Sequence, residues 1–99
     1  MNNELGPAGK LIAKGWTKRA FARDLNDNVC STTYKRAVCF CSLGAVDVSY
    51  PLWPEYIKAR QKLSKAVYDL YGRTDIMLWN DEPGRTHEEV IRVFKQAGI

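Results

Sequence analysis

Between Pro54 and Gly72 the chain carries one unbroken amphipathic pattern. Tyr56, Ala59, Leu63, Ala66, Val67 and Leu70 recur at three- and four-residue steps, the spacing that aligns side chains on one face of an α-helix. Pro54 suits the first turn, where its missing N–H removes no hydrogen bond. Gly72 suits the stop, because glycine tolerates the left-handed cap conformation. A helix of this length with one apolar face must lay that face on other elements. The rest of the chain is therefore expected to wrap it, as a single domain over residues 1–99.

Shorter signals surround it. Ala8 to Lys14 reads as a helix that Gly15 ends. Trp16 to Asp24 has no clean helical face, and Leu25-Asn26-Asp27-Asn28 is turn chemistry, since Asn and Asp bond nearby backbone and accept positive φ. This predicts a small β-hairpin of Lys18–Asp24 with Asn28–Ser31. Ser31-Thr32-Thr33 offers N-cap hydroxyls. The run Ala37 to Val46 is almost wholly apolar, and periodicity alone does not separate a buried helix from a buried strand. The small residues Cys41, Gly44 and Ala45 at helical spacing favour a helix approached closely by a neighbour. Val38, Phe40 and Val46 are the residues a strand would keep.

The C-terminal third is more explicit. Asp75 to Trp79 is a short apolar piece of one or two helical turns. Glu82-Pro83-Gly84-Arg85 has the composition of a type II turn. Thr86-His87-Glu88-Glu89 is a capping box opening a last helix over His87–Ala97, with Val90, Ile91 and Phe94 inward. The fold class is α+β, mainly α: a compact domain of three to four helices with a small β-hairpin. Its expected nucleus is Val38, Phe40, Leu43, Ile57, Leu63, Val67, Leu70, Trp79, Ile91 and Phe94.

Composition narrows the function classes. With 45% apolar and 26% charged residues, the chain is ordinary for a globular protein. No run approaches the ~20 apolar residues that span a bilayer, so no membrane partner is expected. Met1 to Gly9 is polar and lacks a signal-peptide pattern, and the odd set Cys30, Cys39 and Cys41 suits free thiols. Both point to the cytoplasm. The net charge is +4, and residues 1–36 carry seven Lys/Arg against three Asp/Glu. That bias favours an anionic partner.

Four groups of residues could carry function. Trp79, Asn80, Asp81, Arg85, Thr86 and His87 crowd one turn. They would serve either as an anion pocket at a helix N-terminus or as structural caps and plugs; joined by Arg23 and Asp24, they form the candidate ligand-binding set. Lys58, Lys62 and Lys65 form one basic stripe, and Lys18, Arg19, Arg23, Lys35 and Arg36 a second group, which together would suit a nucleic-acid backbone. Tyr50, Trp53, Tyr56, Tyr68 and Tyr71 suit either a core or a protein interface, a homo-oligomeric one included. The cysteines and His87 have the residue types for nucleophilic catalysis or zinc. However, their spacing supplies neither a complete catalytic set nor a zinc knuckle, so no catalytic residue, metal or cofactor is expected.

Read in order, Gly15-Trp16, Ala20-Phe21-Ala22-Arg23-Asp24, Val38-Cys39-Phe40-Cys41-Ser42-Leu43-Gly44-Ala45, Trp79-Asn80-Asp81 and Pro83-Gly84-Arg85-Thr86-His87-Glu88-Glu89-Val90 resemble a family of small uncharacterised bacterial and phage proteins, a domain of unknown function. The resemblance runs from about Gly15 to Ala97. Members often carry an Asp-Gly turn where this chain has Asp27-Asn28. The resemblance implies a phage or mobile-element origin and brings no activity, cofactor or catalytic residue. The expected function is a non-enzymatic binding protein that modulates or inhibits a host protein, a defence protein among the candidates. A small-molecule or nucleotide site near Arg85 is the alternative, and nucleic-acid binding a further one.

Overall fold

The computed structural model describes residues 4–99; the first three residues of the polar N-terminal stretch lie outside it. The described chain runs α1 (Pro7–Lys14), β1 (Ala22–Asp24), β2 (Val29–Cys30), β3 (Ala37–Phe40), α2 (Ser42–Ser49), α3 (Trp53–Tyr71), α4 (Ile76–Asp81) and α5 (His87–Ala97). The class is α+β and mainly α. Five helices stand where three to four were expected, because the short segment after Asp75 forms a helix of its own, α4.

The long amphipathic helix forms as its pattern dictates. Ala59, Leu63, Ala66 and Val67 are buried, and Gly72 closes the helix with φ +67°. That face packs chiefly on α5, with α2 and α4 beside it. The α5 capping box is complete: Thr86 Oγ1 accepts the Glu89 N–H at 3.1 Å and Glu89 Oε1 accepts the Thr86 N–H at 2.9 Å. Gly84 takes φ +84° and the Arg85 N–H donates to Glu82 O at 3.0 Å, as a type II turn requires.

The apolar run corrects the expectation of one helix. Residues 37–40 are strand β3, and α2 begins only at Ser42. The switch lies at Cys41, which is extended (φ −77°, ψ 172°) and caps α2 by accepting the Gly44 N–H on its sulfur at 3.3 Å. Upstream of Cys41 the strand is paired on both sides. β1 pairs with one edge. On the other, Phe40 N–H donates to Gly15 O at 3.1 Å and Phe40 O accepts the Thr17 N–H at 3.0 Å. A helix would forfeit these bonds, and Val38 and Phe40 suit a strand. The small residues do allow close approach, but to backbone just before β1: a Cβ on Gly44 would lie 2.2 Å from Phe21 O. Gly15 serves the same need, since its Cβ would lie 2.2 Å from Val38 O. Its φ is −173°, so it ends α1 by close packing and not by a left-handed cap.

The expected hairpin is shorter and has a third strand. The antiparallel sheet has the order β2-β1-β3, with Ala22 opposite both Cys30 and Phe40, and Arg23 opposite both Val29 and Cys39. Lys18 to Phe21 do not join it. Arg19 takes φ +62° and turns that segment toward α4. At the hairpin tip Asp27 takes φ +65°, supplying the conformation that an Asp-Gly turn would give to glycine.

The sheet lays Ala22 and Phe40 against α1 and α2, and α1 in turn packs on α2 and α5. Phe40, Leu43, Leu63, Val67, Trp79 and Phe94 are buried as expected, with Leu70 and Ile91 half-buried against them. Val38 and Ile57 leave the expected nucleus. Val38 faces outward at an irregularity in the β1–β3 register, and Ile57 lies at the margin of the α3 face. Ile12, Val46, Val90 and Val93 fill the centre beside Trp79. Among the described residues no helix is long and apolar enough to cross a membrane.

Candidate functional site

Helix α4 places Trp79, Asn80 and Asp81 in its last turn, and Asn80 is wholly buried. Its Oδ1 accepts the Trp16 indole N–H at 2.9 Å, the Ser42 N–H at 3.0 Å and the Ser42 hydroxyl at 2.7 Å. Its Nδ2 donates to Thr17 O at 3.2 Å and to Asp81 Oδ1 at 2.9 Å. Asp81 Oδ1 also accepts the Arg19 N–H at 3.0 Å. One amide thus ties the Trp16–Arg19 segment and the start of α2 to α4. Both polar atoms of Asn80 are satisfied, which is what makes its burial affordable.

Arg85 lies between two rings. Its guanidinium carbon is 4.6 Å from the centroids of both Tyr71 and Trp79. Nε donates to Trp79 O at 3.0 Å, and the terminal nitrogens donate to Glu82 Oε1 at 3.0 Å and Glu89 Oε1 at 3.3 Å. The side chain is 9% exposed. Arg73 adds a two-pronged contact to Glu82 at 2.8 and 3.2 Å. The Arg73 hydrogen bond, with both arginine charges, holds the Glu82 carboxyl below its ordinary range. The Thr86 N–H, then Arg85, does the same for Glu89. An incoming anion at Arg85 would meet two ionised carboxylates and a guanidinium already bonded on three nitrogens. Trp79 leaves its buried indole N–H without an acceptor among the described residues, which costs about 1–3 kcal/mol against the burial of the whole ring.

His87, the first residue of α5, reaches across to α1 and places Nε2 2.6 Å from Ile12 O. Its ring stacks on Trp16 at 5.9 Å. The Lys18 ammonium lies 5.5 Å from the same Trp16 ring and donates to Glu82 O at 2.7 Å. The thiols have other neighbours. Cys39 Sγ faces Arg23 O at 3.8 Å, and Cys41 caps α2. Burial pushes the Cys41 thiol up, the direction that disfavours a nucleophilic thiolate. All three cysteines are free, and among the described residues no three His, Cys, Asp or Glu side chains converge as a metal cluster would need.

Arg23 and Asp24 serve their own loops. Arg23 donates to Thr17 Oγ1 at 3.0 Å, Asp27 O at 3.1 Å and Lys18 O at 3.3 Å. Asp24 Oδ1 accepts the Asn26 N–H at 2.9 Å and the Asn28 N–H at 3.0 Å. Among the described residues no ion pair joins Arg23 or Asp24 to Asp81 or Arg85; the two groups are linked through the Thr17–Arg19 segment. The two basic groups also separate. Lys58, Lys62 and Lys65 lie on α3, which packs on α5, α2 and α4, whereas the sheet packs on α1 and α2. Lys65 is paired with Asp69.

Several large apolar side chains are exposed, Phe21, Leu52, Trp53, Tyr68 and Leu78 among them, and four gather on or beside the sheet. Leu25 is 86% exposed, Val29 65%, Tyr34 42% and Val38 39%. Leu25, Tyr34 and Val38 share a groove of about 470 Å³ with Asp24, Asn26 and Arg36, and Val29 lies across β1 from it. Sequence reasoning missed this face. Leu25 and Val29 flank a polar turn and read as ordinary hairpin residues, and Val38 sits in a run that reads as core. The available signal was that two large apolar residues bracket a turn with no partner for them in either flanking strand. The aromatic group is less coherent. Trp53 and Tyr68 are exposed but lie at opposite ends of α3, about 22 Å apart along its axis. Trp53 stacks on Tyr56 at 5.9 Å, and Tyr71 packs on Trp79.

The arrangement is that of a small helical domain whose short sheet is covered on one face and open on the other. Residues 6–98 match a family of unknown function, DUF6197, and the chain belongs to it. No curated protein and no solved structure matches the chain.

Proposed function

We propose that this protein works by binding another protein through the outer face of its sheet, and that it carries out no chemistry of its own. The observation behind this is the grouping of Leu25, Tyr34 and Val38 around one groove, with Val29 nearby, all exposed. Clustered apolar surface of this kind is disfavoured in water unless something covers it. The residues with the best chemistry for a reactive or ligand-holding centre, Asn80, Asp81, Arg85 and His87, are by contrast engaged in bonds that hold α1, α2, α4 and α5 together.

The bacterial and phage setting suggested by the resemblance belongs to this proposal. In that setting the partner is a host protein in the cytoplasm, and binding modulates or inhibits it. The test is a pull-down from a bacterial lysate with three forms of the protein. A partner held by the parent chain and by Trp53→Ser, but lost with the double substitution Leu25→Ser and Val38→Ser, supports the reading. A partner lost only with Trp53→Ser would move the interface to α3. A captured species that elutes steeply with salt and is removed by nuclease would replace a protein partner with nucleic acid.

A further inference from the structure

The groove beside Val38 has a chemical bias as well as a shape. Residues 17–40 hold five Lys/Arg and two Asp. Arg23 and Asp24 are engaged within the hairpin, and Asp27 lies 3.9 Å from Arg23. Lys35 and Arg36 are exposed and make no hydrogen bond or ion pair among the described residues. Arg36 lines the groove itself. Asp24 also lines it and keeps its negative charge, with Oδ1 held by two backbone N–H groups of its own turn. The groove therefore offers the apolar surfaces of Leu25, Tyr34 and Val38, with Arg36 in the lining and Lys35 next to it in sequence supplying one positive charge more than Asp24 balances.

The walls are held in place before anything binds. The Tyr34 N–H donates to Ser31 O at 3.1 Å and the Ala37 N–H to Tyr34 O at 3.0 Å, so the Tyr34 side of the groove is a fixed double turn. The Asp24 turn fixes the Leu25 side. A preorganised groove loses little conformational entropy on binding.

We infer that the occupant is an acidic peptide segment of a partner protein, with an apolar side chain seated among Leu25, Tyr34 and Val38 and carboxylates against Lys35 and Arg36. This rests on the protein-binding reading above. A second copy of the chain fits less well, because a two-fold contact through this face would bring the unpaired Lys35 and Arg36 of both copies into one interface and double its positive charge. Single-stranded nucleic acid fits less well, because its bases stack on successive aromatic platforms, and the groove offers Tyr34 alone beside the aliphatic Leu25 and Val38. Carboxylates complement Lys35 and Arg36, and an aliphatic side chain complements Leu25, Tyr34 and Val38.

The experiment is an amide NMR titration of the full isotope-labelled chain with four probes. The first is a short peptide of Glu and Leu; the second has Lys for every Glu, the third has Ser for every Leu, and the fourth is oligothymidylate. The Glu-Leu peptide is expected to move the amides of residues 24–26 and 34–38 saturably, and the other three to leave them in place. Arg36→Glu and Val38→Ser are each expected to weaken that binding about tenfold with the remaining amide shifts unchanged; Lys58→Glu should not weaken it. Shifts confined to α3, no saturable shift with the Glu-Leu peptide, or an equal response to the Lys version would overturn the inference. Oligothymidylate moving the same amides in place of the peptide would overturn it in favour of nucleic acid. If the peptide fails while the lysate partner is still lost with Leu25→Ser and Val38→Ser, the acidic chemistry is wrong and the docking face stands.

Discussion

Asn80 Oδ1 accepts the Trp16 indole N–H at 2.9 Å although 64 residues separate them in the chain. This bond fixes the segment after α1 to the end of α4, and the same oxygen takes both donors of Ser42. The most chemically suggestive residues of the sequence thereby become a clasp in the fold.

Replacing Asn80 with Ala should therefore be severe. It leaves the Trp16 indole and two Ser42 donors without an acceptor at a wholly buried position. Each unpaired buried donor costs about 1–3 kcal/mol, and with partial relaxation the loss should be about 3–5 kcal/mol. Urea unfolding followed by tryptophan fluorescence measures it. A loss within experimental error would show that Asn80 is not the clasp.

Arg85 offers a second contrast between structure and ligand binding. Its guanidinium lies between Tyr71 and Trp79 and bonds Trp79 O, Glu82 and Glu89. Arg85→Ala should cost about 2–3 kcal/mol and lower the melting temperature by roughly 10–20 °C. Arg85→Lys should recover little, because an ammonium cannot match the planar fork. A variant that melts normally but loses affinity for a small anion would instead assign Arg85 to a ligand.

Two glycines should resist even the smallest side chain. A Cβ at Gly15 would lie 2.2 Å from Val38 O, and one at Gly44 2.2 Å from Phe21 O. Both obstacles are backbone atoms, Val38 within β3 and Phe21 immediately before β1, so relief requires moving the main chain. Gly15→Ala and Gly44→Ala should each destabilise by about 2–3 kcal/mol, whereas Gly15→Ala would be nearly silent if Gly15 were merely a helix stop on the surface. Thermal melts of the two variants read this directly.

Acid should loosen the α4–α5 corner. Glu82 and Glu89 are held below the ordinary glutamate range, by Arg73 and by the Thr86 N–H respectively. A lowered folded-state pKa favours folding above the unfolded value of about 4.3, and that contribution is lost as pH falls through the lower folded value. The urea midpoint should hold from neutral pH to about pH 5 and fall below about pH 4. Glu89→Gln should flatten part of that fall, and an unaltered profile would contradict the assignment.

The legible parts of this fold were those set by local rules. Helix α3 follows from its apolar spacing, and α5 from Thr86 and Glu89, because capping and amphipathicity act within a few residues. The apolar run was illegible because its division at Cys41 depends on distant backbone: Gly15 and Thr17 pair one edge of β3, and β1 pairs the other. Short-range periodicity carries no record of either. The candidate site divides along the same line. Thr86 as a cap was readable from four residues. Asn80 as the partner of Trp16 and Ser42 was not, since it joins three segments far apart in sequence. The open face was hidden for a related reason: Val38 belongs to an apolar run, and only the register irregularity between β1 and β3 turns it outward.

The sheet face is the proposed meeting point of this protein with its partner. The most direct measurement places a photo-crosslinking amino acid at position 25, and in a second version at position 58 on α3, and irradiates living cells. Position 25 should yield one discrete crosslinked protein and position 58 none. Crosslinks at position 58 alone, or none at position 25 in cells where the partner is captured, would contradict the claim and leave the exposed Leu25, Val29, Tyr34 and Val38 without a function.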